Sequence, residues 1–173
     1  ASASYYYVNK SSLPKVYGGF NTSLSWKGFD LSAIFAYSIG GYIYNRDITM
    51  ILHNGSLEGR DWSTEILKRW TPENRYTDVP ALSTTSNNWN SASTRFLQNN
   101  SYMRLKNLTL SYDLPKQWIS KLALSSVQVF VQGDNLFTIH RNQGLDPEQG
   151  ITGITYYRYP AMRTISGGIN LSF

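Results

Sequence analysis

The closing stretch, Ala161-Met162-Arg163-Thr164-Ile165-Ser166-Gly167-Gly168-Ile169-Asn170-Leu171-Ser172-Phe173, decides the fold class. Phe173, Leu171, Ile169, Gly167 and Ile165 share one parity; Ser172, Asn170, Gly168, Ser166 and Thr164 share the other. A period of two puts these sets on opposite faces of a β-strand. A soluble sheet with its apolar set turned to a core would show the same alternation, but the two ends point to lipid. The next residue on the apolar parity is Arg163. About ten residues at about 3.3 Å each, tilted by about 40°, climb roughly 25 Å, the height of the lipid-facing band of an outer-membrane barrel. Arg163 then reaches the far interface, where a long cation snorkels into water. Phe173 sits at the near interface, where aromatic girdles belong. Residues 161–173 read as the closing strand of an antiparallel transmembrane β-barrel.

Composition agrees with that reading. The chain has 173 residues, a net charge of +5, thirteen Tyr, five Trp and no cysteine, so neither disulfides nor thiolate metal sites are available. Lys and Arg are scattered singly, whereas a nucleic-acid surface needs them clustered. No apolar run approaches the roughly 20 residues of a transmembrane helix. A strand barrel escapes hydropathy scans because only alternate residues are apolar. The sequence carries no secretory signal peptide and opens Ala1-Ser2-Ala3-Ser4-Tyr5, which suits a processed or partial piece.

Upstream, four more strands are expected. Residues 14–26 carry Val16, Phe20, Leu24 and Trp26 on one parity, and Lys27-Gly28 supplies a two-residue turn. Residues 29–38 carry Phe29, Leu31, Ala33, Phe35 and Tyr37 on one face. In 102–112, Leu108, Leu110 and Tyr112 alternate with Asn107, Thr109 and Ser111. Arg104 and Lys106 break the pattern, and a β-bulge near Lys106 would return Met103 and Leu105 to the apolar side. Residues 126–137 place Val127, Val129, Val131 and Phe137 outward, with Gln128, Gln132 and Asp134 inward. The lipid-facing and girdle set is thus Trp26, Phe29, Tyr37, Tyr112, Val129, Phe137, Ile169 and Phe173, with Val129 and Ile169 near the midplane. Counting from a periplasmic Phe173, the short turns at Lys27-Gly28 and at 115–125 lie in the periplasm. The long connections, from Ile39 to about Asn100 and from His140 to Pro160, lie outside the cell. Within the first of these, Asp61 is expected to cap a short helix, Trp62 to Trp70, that stops at Thr71-Pro72.

Several blocks in order resemble one family. Residues 95–112 (RFLQNNSYMRLKNLTLSY), residues 129–138 (VFVQGDNLFT) with Gly144-Leu145-Asp146-Pro147-Glu148, and Tyr159-Pro160 with Arg163-Thr164 and the final strand match its pattern. Arg69-Trp70-Thr71-Pro72-Glu73-Asn74 and Asp78-Val79-Pro80 match as well. The family is the SusC/RagA-type TonB-dependent outer-membrane transporters, and the match covers the carboxyl-terminal part of their barrel. The resemblance implies barrels of about 22 strands filled by an amino-terminal plug. It also implies a SusD-type surface lipoprotein as lid, TonB as the source of energy, and oligosaccharide or peptide as cargo. The plug and the TonB-binding segment would lie outside this chain. Five strands cannot close a barrel, so the remaining wall is expected elsewhere. Lipid or lipopolysaccharide is the expected outer neighbour.

Catalytic and metal-binding readings find little support. His53 and His140 stand alone, without partners at ligand spacing. Asp146-Pro147-Glu148 admits a calcium loop, but its Pro and its missing third ligand favour a turn. No nucleophile–base pair is visible and no cofactor is expected. The loop aromatics Tyr44, Trp62, Trp70, Tyr76 and Trp89 are either contacts for cargo or partner, or internal bracing. The transporter reading competes with an all-β surface module that binds glycans without transport.

Overall fold

The computed structural model describes residues 7–53, 55, 59–83, 85, 89, 91–119, 124–148 and 150–173. Five long strands form one antiparallel sheet in the order β1 (Val16–Trp26), β2 (Phe29–Ile39), β5 (Tyr102–Asp113), β6 (Ser126–His140) and β8 (Thr164–Ser172). These are the five strands expected from alternation. A second sheet has the order β4 (Leu97–Asn99), β3 (Tyr42–Asn45), β7 (Ile154–Thr155), with β3 and β7 parallel. Two short helices, α1 (Arg46–Ile51) and α2 (Lys116–Ile119), complete the elements named below.

Strand limits differ from the sequence-based ones for local reasons. The first strand begins at Val16 rather than Pro14, which has no N–H to give a ladder. The last begins at Thr164 rather than Ala161, because the Ala161 N–H donates to the Asp146 carboxylate instead of to β6. The fourth runs on to His140, since Thr138, Ile139 and His140 pair with Arg104, Met103 and Tyr102.

The expected tight turn is present. Lys27 and Gly28 both have positive φ, 48° and 86°, the mirror-image turn whose twist matches the strands it joins. The bulge is present too. Ile34 faces Asn107 and Phe35 faces Leu105, so Lys106 is the extra residue of β5. Its insertion puts Met103 and Leu105 beside Tyr37 and Phe35 on the apolar face, and Arg104 on the polar one.

One face of the sheet is apolar from β1 to β8 and, among the described residues, is mostly exposed, with Ala33, Leu105 and Val127 buried on it. Leu24, Trp26, Ile165, Ile169 and Leu171 are exposed on it. Phe20 stacks on Phe35, ring centroids 4.7 Å apart, and Phe29 on Tyr112 at 4.4 Å. The enclosed core lies elsewhere, beyond one end of the sheet, where Ile43, Ile66, Val79 and Phe96 are buried. Val127 keeps the parity of Val129 and Val131 but is buried at the opposite end, where α2 packs on β6 and Ile119 is also buried.

Two expectations need correction. The Asp61-capped helix over Trp62 to Trp70 is a single 3-10 turn, Thr64–Lys68, capped by the Ser63 hydroxyl accepting from the Glu65 N–H. It ends at Arg69, which is extended (ψ 154°), and the Trp70 N–H donates to the Val79 carbonyl instead of continuing a helix. Trp62 and Trp70 therefore share no helical face. The long polar segment from Ile39 to Asn100 is no simple loop, since it supplies β3, α1 and β4. Residues 54, 56–58, 84, 86–88 and 90 of that segment lie outside the described residues. So do residues 120–123 of the short connection and the opening 1–6.

Candidate functional site

The polar face of the sheet carries a ladder of paired side chains. Asn107 donates to Asp134 at 2.8 Å, Gln132 donates to the same carboxylate at 3.2 Å, and Gln128 donates to Asp113 at 2.9 Å. Phe130, like Ile34 and Ala36, is an apolar residue on this face: its ring lies where a Cβ on Gly168 would sit, 2.9 Å away, so β8 needs glycine there.

Near the far end of β5 the bulge gathers charge. The Arg104 side chain, 3% exposed, donates from Nη2 to Asp146 at 2.5 Å and from Nη1 to Glu148 at 2.7 Å. Its Nε donates to the Thr138 hydroxyl at 2.8 Å. Lys106 reaches Glu148 at 2.6 Å. A buried guanidinium is tolerated only when its donors are used and its charge is matched, and here all three nitrogens are engaged. Asp146 also accepts from the backbone N–H of Ala161 at 2.6 Å and of Glu148 at 2.9 Å. Burial alone would raise its pKa, but those two N–H groups together with Arg104 hold it below the usual carboxylate range. The calcium alternative for Asp146-Pro147-Glu148 gives way to a turn whose carboxylates grip β5. Among the described residues no cluster of His, Cys, Asp or Glu could hold a metal ion.

Above this knot the two long connections are tied into one cap. Parallel pairing joins Tyr44 to Ile154 and Asn45 to Thr155. Asn45 donates to the Gln143 carbonyl at 3.2 Å, Asn100 to the Pro147 carbonyl at 2.8 Å, and Asn142 to Asn100 at 2.9 Å. The segment before β1 joins in, with the Ser12 hydroxyl on the Ile151 carbonyl at 2.8 Å. His140 ends β6 with Nδ1 2.9 Å from the Asn142 carbonyl.

The loop aromatics separate by role. Tyr44 packs edge-on against Phe96 at 6.2 Å. Trp89 donates its indole N–H to the Leu52 carbonyl at 2.6 Å while Arg95 lies 3.5 Å over its ring. Trp62 meets the fully buried His53 edge to face at 5.0 Å. These three brace the cap, although Trp62 keeps one side exposed. Trp70 is partly exposed and Tyr76 fully exposed. Sequence reasoning missed a second aromatic group, Tyr156, Tyr157 and Tyr159, all exposed, with Arg46 4.9 Å over the Tyr156 ring. The run Tyr-Tyr-Arg-Tyr at 156–159 was the available signal.

The residues expected to face lipid or to form girdles fall on a single face. Trp26 pairs with Phe29, Phe29 with Tyr112, Tyr112 with Val129 and Val129 with Ile169, in one row across all five strands. Tyr37 lies further along the same face, over Gly18, and Phe137 opposite Leu105. Phe173 follows β8 and is exposed.

A sheet polar on one side and mostly exposed and apolar on the other, capped at one end by long tied loops, defines the class: a segment of antiparallel β-sheet wall. No protein-family model matches the chain. The TonB-dependent receptor P3 of Formosa agariphila is 33% identical over 166 residues, covering 90% of this chain and 16% of that protein. The TonB-dependent receptor SusC of Bacteroides thetaiotaomicron is 27% identical over 168 residues, covering 96% of the chain and 16% of that protein. Among solved structures, the RagAB peptide importer in its open-open state superposes with a TM-score of 0.82 at 34% identity, covering 96% of this chain and 18% of that one. Its closed-closed state gives the same TM-score of 0.82. The chain belongs to the SusC/RagA-type TonB-dependent receptors, a family of outer-membrane transporters rather than enzymes, and spans about a sixth of their length.

Proposed function

We infer that this chain forms the carboxyl-terminal wall of a multi-pass TonB-dependent importer in the outer membrane of a Gram-negative bacterium. Its apolar face meets lipid and its polar face meets the lumen. The single observation that carries the reading is the 34%-identical superposition on the RagAB peptide importer over 96% of the chain. The rest of the barrel of about 22 strands and the plug complete it. A SusD-type lipoprotein closes it from outside, TonB drives it through the amino-terminal part, and oligopeptide or oligosaccharide is the cargo. The stand-alone glycan-binding module would need something to cover the apolar face, and nothing among the described residues does.

The row from Trp26 to Ile169 supports the lipid geometry. Strands about 4.8 Å apart and tilted by about 40° make a row of four steps climb roughly 12 Å. Trp26 can then stand at the interface while Ile169 reaches the midplane. The cap lies at the end away from the Lys27-Gly28 turn, on the side where the lid would sit.

The test is uptake. Cells carrying the full-length transporter and its lipoprotein are grown on a peptide digest or on an oligosaccharide panel. Growth on one class, abolished by deleting TonB, is expected; growth indifferent to that deletion contradicts the reading. Replacing residues 56–89 by a Gly/Ser linker is expected to leave the barrel inserted and weaken lid co-purification. Full lid recovery would instead assign that segment to cargo or internal packing.

A further inference from the structure

Tyr17, Ser38, Tyr102 and His140 pair side by side across β1, β2, β5 and β6. Tyr102 and Arg104 are two residues apart with no bulge between them, so the row stands on the polar face with Arg104. Tyr17, Ser38 and Tyr102 line a cavity of about 470 Å³, a size typical of small-molecule sites. The small side chains of Ala36 and Ser38 keep its floor low between the two phenols. Pro147 and Ile151 of the cap form its far wall. That wall is fixed in place. The Ser12 hydroxyl donates to the Ile151 carbonyl at 2.8 Å and the Asn100 amide to the Pro147 carbonyl at 2.8 Å. Arg104 holds the carboxylates of Asp146 and Glu148, on either side of Pro147.

The lining is polar but uncharged: among the described residues it includes no Asp, Glu, Lys, Arg or His. The hydroxyls of Tyr17, Ser38 and Tyr102 have no protein hydrogen-bond partner among the described residues. Side chains stand roughly perpendicular to a sheet. A flat ring placed over Ser38 therefore lies about 4.8 Å from each flanking strand, the separation at which a ring packs on an aromatic face. An extended peptide finds less here. The backbone groups of β2 and β5 are spent on ladders to both sides, and no charge faces a peptide terminus. Two aromatic faces for C–H surface, with three hydroxyls able both to donate and to accept, match a neutral sugar ring.

We propose that this recess is a subsite for an uncharged pyranose ring of the cargo, held between Tyr17 and Tyr102 with its hydroxyl groups on Ser38 and the two phenols. The proposal rests on the importer reading above and, within it, selects oligosaccharide over peptide.

The experiment uses the full-length transporter with its lipoprotein in detergent, with binding read by native mass spectrometry. The probes are a panel of neutral hexose oligosaccharides, uronic-acid oligosaccharides of the same lengths, and a peptide digest. The variants are Tyr17→Ala, Tyr17→Phe and Tyr102→Ala, and Trp118→Ala, an exposed aromatic at the opposite end of the sheet, is the control. Tyr17 is 77% exposed, so its truncation leaves folding intact. Preferential retention of a neutral oligosaccharide is expected, with a loss of about tenfold in each alanine variant and no change in the control. Tyr17→Phe keeps the aromatic face and should lose about threefold. Preference for uronic-acid oligosaccharides or peptides, retention of no neutral oligosaccharide, full binding by both alanine variants, or a loss in Tyr17→Phe equal to that in Tyr17→Ala would each overturn the proposal. TonB-dependent growth on peptide alone would overturn the subsite and keep the importer, whereas growth indifferent to TonB would overturn the importer reading itself.

Discussion

Along the sheet, Leu24, Val131 and Ile169 stand exposed on an apolar face, whereas in the cap Asn45, Thr155 and His53 are wholly buried. The inversion is what the proposed barrel wall requires of a lipid-facing sheet beneath a hydrated cap. In the sheet the backbone is satisfied by the ladder, so the outward side chains need only be apolar for a hydrocarbon surround. The cap closes a small core around Ile43 and Phe96. It holds Asn45 through a partner far away in sequence, the Gln143 carbonyl. Arg104 is where the regions meet: its backbone belongs to a sheet strand and its side chain holds the cap's carboxylates.

The strongest way to break that meeting point is Arg104→Ala. Removing one partner of a buried, hydrogen-bonded ion cluster costs about 3–5 kcal/mol. Amide exchange should accelerate across residues 141–163 while β1 and β2 stay protected. Uniform acceleration in both would mean that cap and sheet are a single cooperative unit. Ile169→Arg attacks the sheet. A cation near the bilayer midplane costs about 2–4 kcal/mol, against about 0–1 near an interface, so Ile169→Arg should far exceed Arg163→Ala in a lipid-refolding titration. Equal, negligible effects would place Ile169 away from lipid.

The comparison sharpens with pH. The folded-state pKa of Asp146 is depressed, so its stabilising contribution is complete above the ordinary carboxylate range and is lost as pH falls through the depressed value. Protection of the 144–148 segment should decline in acid while the β1–β2 ladder does not follow it. The smallest expected effect is Tyr76→Ala, which alters a fully exposed side chain and should leave stability within about 0.5 kcal/mol. Its readout is lid co-purification; a stability loss well beyond that range would make Tyr76 a packing residue.

The same contrast explains what could be read from the chain. Strand parity is local, so all five long strands, the Lys27-Gly28 turn and the bulge at Lys106 were legible. The bulge showed itself because two cations stood on an apolar parity. The cap was not legible. Its β3–β7 pairing links residues 44–45 to 154–155, and a two-residue strand leaves no periodic trace. The Trp62 to Trp70 pattern looked helical because its spacing fits; capping by Ser63 and the Trp70 bond to Val79 decided otherwise, and neither shows in periodicity. Asp146 and Glu148 read as a bare turn because their cations lie 42 and 44 residues away in sequence.

The central claim is that β8 presents alternate residues to lipid and to a hydrated lumen. The chain has no cysteine, so single cysteines can be placed in turn at 164 through 171 in the full-length protein in vesicles, its remaining portion also freed of cysteine. Each is scored for reaction with a membrane-impermeant thiol reagent and for quenching of an attached fluorophore by brominated lipid. The account predicts reagent access at Thr164, Ser166 and Asn170 and lipid quenching at Ile165, Ile169 and Leu171. Access without a period of two, or quenching at the polar positions, would contradict it.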